Sequence, residues 1–227
     1  MDRLAVILPA AGSSTRFGRN KLLELLEGQT VVARSAGVFL KRKDVELLVI
    51  PTADETVICD ALGPLANDKR VRIVPGGSCR AESVKAALAH VPLDIEWIAV
   101  HDAARPLVSD ELIDRVFAGA REHNAAAPAM PMVLTVKQAH GPLPASVNRT
   151  LPRSNLWTLQ TPQIMRRSDL AAAYESCATN LAIVTDDLQL LEMANKRAWL
   201  VEGEERNLKI TTLLDLTIAK SWLADKP

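Results

Sequence analysis

The chain has 227 residues, of which 48% are hydrophobic and 24% are charged, so it can form one large α/β domain with a sizeable core. Its 27 basic residues balance 27 acidic ones, which excludes a bulk field that would attract nucleic acid or a membrane and makes any anion site local. Aromatic residues make up only 4%, which argues against a stacking platform for single-stranded nucleic acid.

The three cysteines, Cys59, Cys79 and Cys177, lie far apart and form no C-x-x-C pair. This spacing argues against a cysteine-rich zinc site and is typical of a reducing compartment. The N-terminus opens into an apolar strand pattern rather than a signal-peptide layout, and no apolar run approaches 18 residues. We therefore expect a cytoplasmic protein without a membrane span.

The stretch LAVILPAAGSSTRFGRNK opens with five apolar residues, which predict a strand over 4–8 that ends before Pro9. The small residues 10–14 follow, and such a loop can bring backbone N–H groups against a phosphate or a base edge. Arg16, Arg19 and Lys21 add three cations, which suit a polyphosphate with charge on several oxygens. The pattern fits neither the G-x-G-x-x-G fingerprint nor the P-loop, and a plain tight turn is the alternative interpretation.

The residues up to 124 alternate between strand and helix patterns. We predict strands over 45–50, 71–74 and 95–101, with Pro51 closing the first of these. The intervening helices are expected over 30–41, from the Asp54–Glu55 pair through 62, after Ser78, and over 109–123. This alternation predicts an α/β fold with a parallel sheet and right-handed crossovers.

The second half is less regular. Residues 125–136 are apolar but hold two prolines, so we predict an irregular or edge strand. Residues 137–155 hold three prolines and are long for a plain loop, so they are either mobile or pack on another subunit. After a return to the core over 156–165, we predict helices over 168–177, 185–194 and from 212 onward, with strands over 199–201 and 208–210.

Two further motifs would meet the first loop at the carboxyl edge of such a sheet. Gly76 and Gly77 follow the third strand, and the sequence HDAARP places Asp102 and Arg105 after the fourth. A ligand held by Gly12 could then contact all three segments. The alternatives are a plain glycine-rich turn for the first motif and a turn-capping Asp102 paired with Arg105 for the second.

Six motifs, LPAAGSSTRFGRNK, PGGSCRAESV, HDAARP, LQTPQ, TDD and VEGEERNLKIT, span nearly the whole chain in one order. Together they resemble the 2-C-methyl-D-erythritol 4-phosphate cytidylyltransferases, which join CTP to a methylerythritol phosphate in isoprenoid synthesis. The resemblance implies a Rossmann-like nucleotidyltransferase fold with a mostly parallel sheet flanked by helices, a single domain over 1–227. It also implies a homodimer formed through an extended arm at 137–155, and Mg²⁺ carried mainly by the CTP phosphates rather than by protein ligands.

The resemblance also assigns roles to residues. Arg16 and Lys21 match the pair that stabilises the pentavalent phosphorus, whereas Lys209 and an Arg153 contributed across the dimer would aim the substrate phosphate. The CTP site would be lined by Pro9, Ala10, Ala11, Gly12, Gly77, Ser78 and Ser83. The methylerythritol phosphate would be held by Asp102, Arg105, Thr135, Thr161 and Thr185. No general base is required, since the attacking phosphate oxygen is already ionised near pH 7.

The chain departs from the family pattern in the polyol pocket. Leu134 stands where aspartate is usual before Thr135, and Leu188-Gln189 stand where Ala-Ser is usual. A cytidylyltransferase for another polyol phosphate, such as ribitol 5-phosphate, is therefore the nearest alternative. A nucleotide-binding regulator without catalysis is disfavoured because all four assigned cations are present, and a dinucleotide oxidoreductase because the glycine fingerprint is missing.

Overall fold

A computed structural model describes residues 3–12 and 17–224 of the chain. The strands are β1 (Leu4–Ile7), β2 (Leu25–Leu26), β3 (Gln29–Thr30), β4 (Val45–Thr52), β5 (Val71–Pro75), β6 (Trp97–Val100), β7 (Ala125–Pro131), β8 (Val136–Ala139), β9 (Val147–Leu151), β10 (Trp157–Leu159), β11 (Gln163–Arg166) and β12 (Trp199–Glu202). The helices are α1 (Val31–Lys41), α2 (Glu55–Leu62), α3 (Arg80–Leu88), α4 (Asp110–His123), α5 (Arg167–Ser176), α6 (Asp187–Met193) and α7 (Leu213–Ala224).

The central sheet has the order β5-β4-β1-β6-β11-β7, with β10 and β12 also paired to β7. Strands β1, β4, β5 and β6 are mutually parallel, so Ile7 pairs with Val49 on one side and with Val100 on the other. Strand β11 runs antiparallel to β6 and β7, and β12 is parallel to β7. The sheet is thus mixed but mostly parallel, which confirms the predicted α/β class.

Helices cover both faces of the sheet. Leu4 and Val6 pack into one core with α1, α2, α4 and α7, whereas Ala5 and Ile7 pack into a second core with α3, α5 and α6. All four residues are fully buried. A strand that is buried on both faces needs a continuous apolar sequence rather than an alternating one. This explains why every residue of β1 is apolar.

Most helix starts are confirmed by their caps. The side chains of Thr30, Asp54 and Ser109 accept hydrogen bonds from backbone N–H groups in the first turns of α1, α2 and α4. At α7, Thr212 Oγ1 accepts from Asp215 N at 3.3 Å and Asp215 Oδ2 accepts from Thr212 N at 2.7 Å, a reciprocal capping box.

Two expectations about prolines were wrong. Pro51 lies inside β4, where its carbonyl accepts from Ala10 N at 2.8 Å beyond the end of β1. Strand β7 is regular and internal to the sheet, with Pro128 facing the break between β10 and β11 and accepting from Gln160 N at 2.8 Å. In both places the missing proline N–H points where the neighbouring strand is interrupted, so no ladder hydrogen bond is lost.

One further segment differs from prediction. Residues 208–210 form no strand, because Ile210 is pinned to the loop after β6 by a hydrogen bond from its N–H to Ala104 O at 2.8 Å. Residues 136–151 form the antiparallel hairpin β8–β9, whose strands pair with each other and not with the central sheet. Within residues 3–12 and 17–224, no helix combines the length and apolarity that a membrane span requires.

Candidate active site

Two loops meet at the carboxyl edge of the parallel strands, as expected from the sheet order. The loop after β1 contacts the loop after β5 so closely that a Cβ on Gly76 would lie 2.8 Å from the Cβ of Ala11. A Cβ on Gly77 would lie 2.3 Å from the Cβ of Glu82. Glycine is therefore required at both positions by close approach of the backbone rather than by an unusual φ angle.

Side chains of α3 fix the glycine loop in place. Ser83 Oγ accepts a hydrogen bond from Gly77 N at 3.0 Å and donates to Cys79 O at 2.9 Å. The Glu82 carboxylate accepts from Ser78 N at 2.8 Å and from Ser78 Oγ at 2.6 Å, and these hydrogen bonds lower the pKa of Glu82 below its ordinary value. These hydrogen bonds hold the loop in place without any contact from a ligand.

Lys21 reaches this edge on a short 3₁₀ helix, Lys21–Leu23. The Asn20 side chain caps it by accepting from Leu22 N at 3.1 Å, and the Leu22 side chain is buried in the first core. Together these segments line a cleft of about 370 Å³. The cleft is walled mostly by backbone and small side chains, with Lys21, Arg80, Asp102 and Lys209 as its charged groups.

A smaller cavity of about 170 Å³ adjoins the cleft. Arg80, Asp102 and Lys209 line both spaces. Apart from Leu159, the other residues that line the smaller cavity are polar: Arg105, Gln160, Thr161, Gln163, Thr185 and Asp186. The site therefore consists of a larger cleft and a smaller polar cavity, which share a wall of three charged side chains, Arg80, Asp102 and Lys209.

Asp102 is the centre of that division. Its Oδ2 lies 2.9 Å from Lys209 Nζ and 3.3 Å from Arg105 Nε, and its Oδ1 lies 3.4 Å from Arg80 Nε. Burial by itself would raise the pKa of Asp102, but the charges of Lys209, Arg80 and Arg105 outweigh this effect and hold the pKa far below its ordinary value. Asp102 is therefore an anion that keeps three cations close together.

A buried imidazole supports the Asp102 loop. His101 Nε2 lies 3.1 Å from Arg105 O, which can only accept, so this nitrogen carries the proton. His101 Nδ1 then accepts from Thr161 Oγ1 at 3.1 Å, and Thr161 Oγ1 in turn accepts from Asp102 N at 3.0 Å. Burial lowers the pKa of His101 to about 4, so it is neutral at physiological pH and acts as a fixed hydrogen-bonding strut.

The segment that carries Lys209 is held at both ends. Fully buried Asn207 donates from Nδ2 to Thr161 O at 2.8 Å, and Asn207 O accepts from Arg105 Nη1 at 2.8 Å. On the other side, Ile210 is buried and bonded to Ala104 O. Lys209 therefore extends from a short stretch between two anchors, which accounts for a well-defined position on an irregular segment.

The structure brings most of the predicted residues together. The cleft is lined by Pro9, Ala11, Gly12, Lys21, Gly77, Ser78, Ser83, Asp102 and Lys209. The smaller cavity adds Arg105, Thr161 and Thr185. Ala10 is different, because its side chain is buried in the first core.

Three other predicted residues are not part of these two spaces as the structure describes them. Thr135 and Arg153 are exposed at the base of the β8–β9 hairpin, where Arg153 Nη1 donates to Val133 O. The two residues therefore belong to one local unit. Arg16 lies outside the described residues.

Sequence reasoning missed Arg80, Gln163 and Asp187. Arg80 starts α3 and Asp187 starts α6, and the two side chains form an ion pair of 2.8 Å. Gln163 Oε1 accepts from Asp187 N at 2.9 Å and from Leu188 N at 3.2 Å. All three lie within or next to motifs noted above, but only the tertiary fold shows that they face one another.

The unusual Leu188-Gln189 pair also has a structural account. Leu188 is buried in the second core, and Gln189 Oε1 accepts from Thr185 N at 2.7 Å and from Thr185 Oγ1 at 3.1 Å. Thr185 Oγ1 also lies 3.1 Å from Asp186 Oδ2. A threonine hydroxyl carries a single proton, so two acceptors of the protein compete for the one that Thr185 could donate to another group in the cavity.

Comparison with known proteins assigns the family. The family model for 2-C-methyl-D-erythritol 4-phosphate cytidylyltransferase matches residues 4–225. A protein of that name from Solibacter usitatus is 35% identical, with 99% of this chain and 97% of the relative covered. A bifunctional IspD/IspF enzyme from Desulfotalea psychrophila is 36% identical, and the chain spans 58% of its length.

A solved structure gives the same answer. The crystal structure of Francisella tularensis 2-C-methyl-D-erythritol 4-phosphate cytidylyltransferase is similar with a TM-score of 0.83 and 31% identity, and the match covers 97% of this chain and 99% of that one. The structural match agrees with the α/β fold described above. The chain belongs to the 2-C-methyl-D-erythritol 4-phosphate cytidylyltransferase family.

Proposed function

We propose that this protein transfers a cytidylyl group from CTP to 2-C-methyl-D-erythritol 4-phosphate and releases pyrophosphate. The observation that carries this proposal is the pair of adjoining spaces with a shared wall of Arg80, Asp102 and Lys209. The larger space, of about 370 Å³, falls within the usual range for small-molecule sites. The smaller, polar space suits a short polyol.

The reaction joins two anions, which sets the demand on the site. An oxygen of the phosphate monoester attacks the α-phosphorus of CTP, and the bond from that phosphorus to the pyrophosphate oxygen breaks. Because the attacking oxygen is already ionised, the barrier comes from repulsion and misalignment rather than from proton transfer. Cations fixed between the two halves of the site reduce the repulsion between the two anions and hold them in line.

We assign the larger cleft to CTP. The backbone of residues 76–78 and of Pro9, Ala11 and Gly12 would contact the nucleotide, since small residues allow the closest approach. Lys21 faces the same cleft and would stabilise the pentavalent phosphorus, together with Arg16. A pocket walled by fixed backbone can test the hydrogen-bonding edge of cytosine while excluding a larger purine by shape.

We assign the smaller cavity to the polyol phosphate. Asp102 stays ionised over the whole physiological range and can accept hydrogen bonds from polyol hydroxyls, while Arg105 and Lys209 supply positive charge beside it. Thr161 is less available, because its hydroxyl proton is donated to His101. Lys209 would aim the attacking phosphate, since it borders both spaces.

Mg²⁺ would enter this site bound to the phosphates of the nucleotide. Among the described residues there is no group of three or more His, Cys, Asp or Glu side chains that could hold a metal ion. Asp102, the carboxylate that borders both spaces, is already surrounded by three cations. The donor set therefore favours an ion held by the triphosphate oxygens, and when bound it would neutralise charge on the phosphates.

We further propose that the protein is a homodimer formed through the arm. A mostly apolar cavity of about 580 Å³ is lined by Met130, Pro131, Trp157 and Leu200, with Glu202 as its charged residue. Pro131 and Trp157 flank the arm in the sequence. Trp157 is 52% exposed and Leu143, on the arm, is 87% exposed. An apolar surface of this kind beside a projecting hairpin suits a second copy, whose arm would bring Arg153 and Thr135 to the neighbouring site.

The dimer has a direct test. Trp157→Glu would place a charge in the apolar cavity, and light scattering coupled to gel filtration should then report a monomer in place of a dimer. A wild-type monomer at micromolar concentration would contradict the proposal.

We place the enzyme in the cytoplasm, an assignment supported by the free thiols of Cys59, Cys79 and Cys177.

The substrate assignment is tested with CTP and two acceptors. Pyrophosphate release would be followed with 2-C-methyl-D-erythritol 4-phosphate and with ribitol 5-phosphate at equal concentrations, with Mg²⁺ present. We expect a higher kcat/KM with the methylerythritol phosphate, even though Leu134 is exposed and offers no polar group. Preference for ribitol 5-phosphate would overturn the assignment, and CTP binding without turnover of either would indicate a regulator.

A further inference from the structure

Arg80 is held between two carboxylates on different parts of the fold. Its Nε lies 3.4 Å from Asp102 Oδ1, and its Nη2 lies 2.8 Å from Asp187 Oδ2. Asp102 follows β6 and Asp187 begins α6, so the guanidinium connects the loop beside the central strand to a helix on one face of the sheet. The Arg80 side chain is only 25% exposed, and it borders both the cleft and the smaller cavity.

Asp187 has unusually few partners for a buried carboxylate. The residue is fully buried, and within the described part of the chain no group donates a hydrogen bond of good geometry to either of its oxygens. Arg80 is the cation that faces it. The Tyr174 hydroxyl, which donates to Ala81 O at 3.0 Å, is also close, and burial together with the Asp187 charge raises the pKa of Tyr174. Burial raises the pKa of Asp187, and the charge of Arg80 opposes that rise without cancelling it. A buried charge that faces a single cation is costly to the fold unless that cation stays in place.

The fold nevertheless fixes Asp187 firmly. Its backbone N–H and that of Leu188 donate to Gln163 Oε1, and Asp186 caps the helix by accepting from Gln189 N at 3.0 Å. The carboxylate therefore cannot follow Arg80 if the guanidinium moves. A rigid anion that faces a single cationic side chain can act as an anchor for that side chain.

Asp102 is the other carboxylate that contacts Arg80, with its Oδ1 3.4 Å from Arg80 Nε. It already has Arg105 and Lys209 at 3.3 and 2.9 Å, and in this buried setting it would attract the Nη2 end of the guanidinium strongly if Asp187 no longer held it. The guanidinium would then turn onto Asp102 and occupy acceptor sites of that carboxylate. It would also lose the orientation that the bridge between the two carboxylates imposes.

We propose that Asp187 is a positioning residue, which holds the Nη2 end of Arg80 so that the guanidinium bridges Asp187 and Asp102 and keeps a fixed orientation toward the polyol phosphate. The proposal rests on the proposed function. The carboxylate that holds the guanidinium directly follows Thr185 and Asp186, which line the smaller cavity and not the cleft. Loss of Asp187 should therefore weaken binding of the polyol phosphate more than binding of CTP.

The main test is Asp187→Asn, which keeps the side-chain shape but removes the charge. We expect KM for 2-C-methyl-D-erythritol 4-phosphate to rise about tenfold, since a charge-assisted contact is misplaced, while KM for CTP stays within about twofold. Asp187→Glu retains the carboxylate and should stay within about threefold of wild type. In an Arg80→Gln background, Asp187→Asn should cause no further change, because the residue through which it acts is gone.

A matched control comes from a second ion pair far from the site. Asp44→Asn removes the partner 2.7 Å from Arg42, which is itself mostly buried, and should lower stability without changing either KM. The inference is overturned if Asp187→Asn leaves the polyol phosphate KM unchanged, or if its effect persists in full without Arg80. Should Asp187→Asn fail to fold, a large KM increase in Asp187→Glu overturns it equally. An inactive wild type would instead contradict the proposed function.

Discussion

Lys209 is the residue whose loss should cost the reaction most clearly. Lys209→Met removes one cation and keeps most of the side-chain volume, and Asp102 retains Arg80 and Arg105 as partners, so the fold should persist. A fixed cation about 4 Å from a phosphate charge is worth roughly 4 kcal/mol at an effective dielectric of about 20. Because the Lys209 side chain is 38% exposed, solvent screening reduces this to about 2–3 kcal/mol, or about 30- to 150-fold in kcat/KM.

The assay is the initial rate of pyrophosphate release with each substrate varied in turn. The loss should appear in kcat/KM for the polyol phosphate, because Lys209 would aim the attacking group. Lys85→Met, an equal change at an exposed position on α3, is the control and should be indistinguishable from wild type. If folded Lys209→Met keeps kcat/KM for the polyol phosphate within about threefold, Lys209 does not act on the attacking phosphate and the charge argument fails.

Three further changes probe the site and its support. Gly77→Ala would place a Cβ 2.3 Å from another Cβ in α3, so KM for CTP should rise at least about tenfold, while Gly37→Ala, whose nearest neighbour is 3.7 Å away, should leave it unchanged. Gln189→Ser removes one of the two acceptors of the Thr185 hydroxyl and leaves Asp186 Oδ2 at 3.1 Å as the other, so KM for the polyol phosphate should stay within about twofold of the wild-type value; a larger fall in KM would show that Gln189 alone withholds this hydroxyl from the substrate. Because the pKa of His101 falls from about 6.5 unfolded to about 4 folded, the unfolded state binds more protons between these values, and the free energy of unfolding should drop by on the order of 3 kcal/mol as pH falls from 6.5 to 4. Urea unfolding midpoints across that range would show the drop, and His101→Gln should flatten it; an equal pH dependence in both proteins would contradict the assignment.

The sequence predicted what depends on local chemistry. The caps at Thr30, Asp54 and Ser109 mark helix starts because a side-chain oxygen and a backbone N–H three residues on are enough to define them. The β1 run and the glycine pair after β5 were also readable, since strand burial and close loop contact each restrict residue type over a few positions. The edge where these loops meet then followed from the parallel order of the strands.

What the sequence could not predict depends on distant partners. Whether Pro51 and Pro128 can sit inside strands depends on where the neighbouring strand happens to stop. Arg80 reads as an ordinary first-turn residue of a helix, and its importance comes from Asp187, which is more than one hundred positions away. Pairings at that separation carry no local signal, and the resemblance to a family supplied residues of the site without the contacts that support them.

The charged wall explains how one small site can hold two anions. Three cations and two buried carboxylates leave a single net positive charge among Arg80, Arg105, Lys209, Asp102 and Asp187. Without the carboxylates, three cations this close would repel one another and drift apart before substrate arrives. With the carboxylates present, the cations are already in position. An incoming phosphate can therefore bind them without any rearrangement of the charged side chains. The anions of the protein therefore serve catalysis by keeping its cations ordered, which is why removing a carboxylate that never contacts the reacting phosphorus is expected to raise a KM.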